Sequence, residues 1–166
     1  MRSARQSGFT LVELMIVVLL IGILAALSAP FLIAAKAGAN ESSAIASLKA
    51  VNSGQATFAS VCGSGGYTLQ LATLVTERFA SPDVDLSPKS GFLFVLADGA
   101  GSAPGPLDCG ADPTRSGYYF TAEPMGGSTG RRGFATTQRG TIWQDSTGGL
   151  PTEPFTPGPN VAPLSQ

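Results

Sequence analysis

The chain has 166 residues, a net charge of −1, two cysteines and no histidine, with 43% of its residues hydrophobic and 13% charged. The near-neutral balance sets up no global field that would draw in nucleic acid, and the lack of histidine removes the commonest general base and metal ligand. Two cysteines without histidine cannot complete a zinc site, no Ser-His-Asp or Cys-His set is possible, and nothing places paired carboxylates together, so neither an enzyme nor a bound cofactor or metal is expected.

The chain opens on a short basic stretch, "MRSARQSG", and then turns strongly apolar. From Leu14 to Ala35 there is no charged residue, a run long enough to cross a bilayer as a helix at about 1.5 Å per residue. A buried core helix of this length would need a larger surrounding domain than the remaining chain supplies. Arg2 and Arg5 precede the run and Lys36 follows it, so the amino terminus is expected to stay cytoplasmic and the rest to face outward. The run is longer than a cleaved secretory core. Cleavage in "LSAP" after Ala29 would also put Pro30 beside the cut.

The stretch "SGFTLVELMIVVLLIGILAALSAP" resembles the type III signal of type IV pilins and of the related pseudopilins of type II secretion. The resemblance implies that an inner-membrane prepilin peptidase cuts after Gly8 and methylates the new amino terminus at Phe9. It implies that Glu13, four residues on, is the glutamate that guides assembly. It also implies that the apolar helix remains in the mature protein, first as a membrane anchor and then as a filament core. Gly22 and Pro30 mark where that helix is expected to loosen in the packed filament, while in the bilayer it stays mostly continuous. The implied partners are further copies of the chain in a helical homopolymer, the peptidase, an inner-membrane assembly platform, and the membrane before assembly.

Beyond Lys36 the helix is expected to continue to Val61 with an apolar stripe of Ile45, Leu48, Val51 (or Asn52), Gln55 and Phe58, lying on a sheet. Gly63, Gly65 and Gly66 stop it. A short helix is read around Leu69 to Arg78. Strands are read in "GFLFVLAD" and "GYYFTAEPM", and two more in "RGFATTQRGTIWQD", turning at Gln138 to Gly140. The tail "GGLPTEPFTPGPNVAPLSQ" is rich in proline and is expected to be irregular or disordered. Cys62 and Cys109, in a segment held outside the cytoplasm, read as one disulfide.

Three smaller features invite chemistry. "GGSTGRRG" lacks the ending of a phosphate loop and reads as a flexible hairpin connection. Arg131, Arg132 and Arg139 form a small basic group, read as solvated surface, so nucleic acid is not an expected partner. Asp83 and Asp85 sit in a loop without a calcium-loop pattern and read as turn capping. The acidic-proline-tryptophan motif of the major pseudopilins is absent, and Trp143 stands in a different setting.

The expected architecture is α+β, the pilin fold. A long amino-terminal helix, membrane-spanning in its first half, packs on a small antiparallel sheet. The divisions are a leader at 1–8, a membrane and filament-core helix at 9–35, an amphipathic half at 36–61, a globular head at 62–150 and a tail at 151–166. The expected function is a structural pilin subunit. It would be anchored in the inner membrane before assembly and become an extracellular filament after it. The alternatives are a periplasmic pseudopilin, or a minor tip subunit that adheres or binds DNA.

Overall fold

The computed structural model describes residues 8–164. By internal contacts the chain divides into two units, Met1–Ala35 and Lys36–Gln166. Helix α1, Leu11–Val61, is 51 residues long and contains Pro30. In the first unit its large apolar side chains, from Leu11 through Ile33, are all exposed. The helix is unbroken at both Gly22 and Pro30, so no break at these positions exists in the isolated chain. Proline denies the helix one amide donor and crowds the turn before it. The other hydrogen bonds on either side still carry the backbone.

In the second unit α1 lays one face on an antiparallel sheet. Ala37, Glu41, Ala44, Leu48, Val51, Gln55, Phe58 and Cys62 are buried. Steps of four and three residues keep such positions on one side of a helix that turns every 3.6. Ala44 takes the central place expected for Ile45, which is only half-buried, and Val51 rather than Asn52 enters the core. The helix ends where Gly63 and Gly65 donate back to the carbonyls of Phe58 and Ala59. Gly65 holds a φ of +92°, open to glycine without a steric penalty. Gly54, inside the helix, answers a close approach. A Cβ there would lie 2.8 Å from the carbonyl oxygen of Phe79.

The main sheet has five strands in the order β1-β4-β5-β6-β7: β1 Phe92–Asp98, β4 Tyr118–Pro124, β5 Gly133–Thr137, β6 Ile142–Asp145 and β7 Val161–Pro163. All four pairings are antiparallel. Their inward residues Phe92, Phe94, Tyr118, Phe120, Ala122, Phe134 and Ile142 meet the helix stripe in one core. Phe94 stacks on Phe120 with centroids 5.9 Å apart, and Phe58 meets the edge of Phe79 at 5.7 Å. Such pairs add to the simple burial of area. The short helix α2, Leu71–Thr76, falls inside the expected span and inserts Leu74.

Two features depart from expectation. The loop before β4 contains a small ribbon of β2 Pro104–Leu107 and β3 Pro113–Arg115. The tail is not wholly irregular. Pro151 is fully buried, Phe155 stacks on Trp143 at 5.4 Å, and β7 adds a last strand on β6. Proline disfavours a central strand, but at a sheet edge its missing donor costs little. The tail also carries an apolar anchor in Phe155.

Candidate functional site

The site begins where α1 begins. The hydroxyl of Thr10 accepts the amide N–H of Glu13 at 3.2 Å. Thr10 therefore stands as the helix cap and Glu13 as its third residue. Gly8 and Phe9 lie just outside the helix, and Phe9 is 81% exposed. The leader expected over residues 1–8 falls, apart from Gly8, outside the described residues. Glu13 is the single acidic or basic residue between Phe9 and Ala35. Among the described residues its carboxylate has no ion-pair partner.

The helix beyond it is long and apolar enough to span a membrane, and none of that window is buried within the structure. A continuous apolar surface of this size is not left in water. A lipid phase can cover it, and so can further helices of the same kind. Both roles require backbone groups to be satisfied within the segment, which a helix does. A single carboxylate on such a helix costs on the order of 2.5–3.5 kcal/mol at a bilayer centre and less near its edge.

At the far end of α1, Cys62 and Cys109 form a disulfide with Cα atoms 5.0 Å apart, the pairing expected from the sequence. The bridge ties the β2–β3 ribbon to the helix end, aided by paired backbone hydrogen bonds between Tyr67 and Arg115. The hydroxyl of Thr114 donates to the Pro106 carbonyl at 2.5 Å.

Sequence reasoning passed over Glu41. It lies on the buried helix stripe with 6% of its surface exposed. Its carboxylate accepts the backbone N–H groups of Arg131 and Arg132 at 2.7 and 3.1 Å and pairs with the Arg132 guanidinium at 2.7 Å. Asn40 also donates to the Thr129 carbonyl at 2.8 Å. The loop read as a flexible connection is therefore pinned to α1. The signal was a carboxylate falling in step with Ala37, Ala44 and Leu48. Burial works to raise the Glu41 pKa, but the Arg131 amide and then the Arg132 side chain outweigh it and hold the carboxyl below its ordinary value.

This lowered pKa has a sign. Stability from the Glu41 contacts is fully present above the unfolded carboxyl's pKa of about 4.3 and is lost as pH falls through the folded value. Glu41→Gln is expected to lower head stability by about 2 kcal/mol at neutral pH, a figure reduced for the partly exposed Arg132. Thermal unfolding of the two proteins should converge as pH drops below about 4. A gap that persists unchanged at low pH would assign the loss to packing rather than to charge.

The arginines do not form one surface. Arg132 is committed to Glu41 and to Gln144, while Arg139 lies on the β5–β6 turn. Asp83 pairs with Lys89. No group of three or more metal-ligating side chains occurs among the described residues.

Comparison with known proteins bears on the amino terminus. A family profile described as the prokaryotic N-terminal methylation motif matches residues 3–29. The chain is 50% identical over 54 residues to the type IV major pilin protein PilA of Myxococcus xanthus. That alignment covers 32% of this chain and 24% of that pilin, so the match spans about a quarter of the relative's length. No solved structure matches significantly.

Proposed function

We infer that this chain is a filament subunit of the type IV pilin superfamily, whose N-terminal signature it carries. A peptidase on the cytoplasmic side cuts between Gly8 and Phe9 and methylates the Phe9 amine. The subunit then waits in the inner membrane through α1 and joins a helical homopolymer in which α1 forms the core. The observation that carries this reading is the capped helix whose apolar first half is exposed and carries one carboxylate, Glu13, four residues from Phe9. Removal of the leader creates a positive amine at Phe9. An amine one turn from a carboxylate on each of many stacked helices supplies a charge pair between neighbours. A register that misses it leaves two charges unpaired in an apolar core.

The filament is assigned to the cell surface and to the role of major subunit. Shearing tests this assignment. The protein should be the dominant species in filaments sheared from the native cell, imaged and then identified by mass spectrometry. Its absence from sheared material, with a short filament retained in the periplasm, would place it in a secretion pseudopilus. A trace at filament ends would make it a tip subunit.

A further inference from the structure

A cavity of about 590 Å³ opens on one flank of the head, with Ile45, Ile142 and Leu164 as its apolar walls and Lys49 and Arg139 at its rim. No carboxylate lines it, and among the described residues neither cation has an ion-pair partner. Its walls are fixed. The Asn52 side chain donates to the Gly140 carbonyl at 3.0 Å and to Thr136 at 2.9 Å, tying the β5–β6 turn to the helix. The Leu164 amide donates to the Ile142 carbonyl at 2.8 Å, fixing the other side. Two exposed cations over an apolar floor, without an ion-pair partner among the described residues, fit a carboxylate carried beside an aliphatic group.

The chain presents that combination on its opposite flank. Asp85 and Leu86 are exposed, Leu86 at 62%. They project between two anchors, the buried Val84 and Ser87, whose hydroxyl accepts the Phe94 amide at 3.0 Å. Asp83 beside them is occupied by Lys89, whereas Asp85 has no ion-pair partner among the described residues. The segment following α2 contacts the helix on the side of Ser43, Ser47 and Gly54. The cavity lies on the side of Ile45, Lys49 and Asn52. At about 100° per residue these two sides are roughly half a turn apart around α1.

We propose that the Asp85–Leu86 knob of one subunit seats in the Lys49–Arg139 cavity of the next, as a head-to-head contact of the filament. The two surfaces differ and face opposite ways. Their union is therefore heterologous, the kind that propagates into an open helix rather than closing into a dimer. Complementary charge sets the register, and Leu86 covers the apolar floor. This inference rests on the filament reading and adds a second contact to the one made by α1.

The test uses the full chain in filament-forming cells. Lys49→Asp with Arg139→Asp, or Asp85→Arg alone, should lower sheared filament yield by about tenfold or more, because like charges across the contact cost several kcal/mol. Combining all three reversals should restore much of the yield. Independently, Leu86→Cys with Thr141→Cys should give a ladder of cross-linked multimers in oxidised wild-type-like filaments, since a bridge needs Cα atoms within about 7 Å. The ladder should vanish when either new cysteine is absent. Charge reversals that leave yield unchanged, or filaments with no 86–141 cross-link, would overturn the contact and leave the filament reading intact. Wild-type cells with no filament containing this protein would overturn both. Recovery of the 62–109 disulfide in the membrane pool of each variant separates lost assembly from lost folding.

Discussion

Replacing Cys62 and Cys109 together by alanine is expected to destabilise the head by about 4 kcal/mol, the chain-entropy value for a 47-residue closure. The loss should be concentrated in the segment the bridge holds. The β2–β3 ribbon buries one side chain fully, Thr114, and leaves Pro104, Pro106 and Leu107 exposed. It has little apolar contact to replace the bond. Hydrogen exchange of residues 104–115 should therefore rise before that of β4 and β5, whose side chains form the core. Equal unfolding midpoints for the bridged protein and the double variant would show that the ribbon is held by its backbone pairs with Tyr67 alone.

The long helix was legible because two signals agreed on it. A charge-free run from Leu14 to Ala35 states what solvent it needs, and the buried residues after Lys36 repeat every three or four positions. Four strands of the main sheet were legible for a similar reason: they are rich in aromatic and β-branched residues, Phe92 and Phe94 alternate with exposed neighbours, and Gly140 marks a turn. What stayed hidden depends on distant partners. The ribbon is built from prolines and glycines that carry no alternation, and it exists because Cys62 and Tyr67 reach it from elsewhere in the chain. The strand at Val161 needs an open edge on β6, which no local pattern announces. Gln55 is a polar member of the helix stripe. Its amide, fully buried, donates to the Thr68 carbonyl and accepts the Thr68 N–H, so the position is polar because an incoming backbone must be met there. Glu41 was overlooked for the same cause, since the two amides it receives lie about ninety residues away.

Glu13→Leu is expected to insert into the membrane at least as well as the parent chain and still be cut after Gly8. It should then fail to enter filaments, with the ratio of sheared subunit to membrane pool falling by at least about tenfold. Leucine removes the desolvation cost of the carboxylate, so a defect cannot come from insertion. On the proposed reading it removes the partner of the Phe9 amine as well, which would leave a positive charge on each helix without compensation in an apolar core, at a cost of several kcal/mol per ion. Glu13→Asp keeps the charge on a shorter arm and should fall between the two. Thr10 holds the first turn through the Glu13 amide, and Thr10→Ala is expected to act more mildly, since a lost cap costs about 1 kcal/mol. Parental filament yield from Glu13→Leu would remove this carboxylate from the account of assembly.

The expectations for assembly assume that the chain in a filament begins at a charged, methylated Phe9. The direct measurement is the mass of the amino-terminal peptide from filaments sheared off the native cell. The account predicts a peptide that starts at Phe9, carries one N-methyl group and retains the whole apolar segment through Pro30. A peptide that still contains Met1 to Gly8, or a mature protein that starts at Pro30, would contradict it.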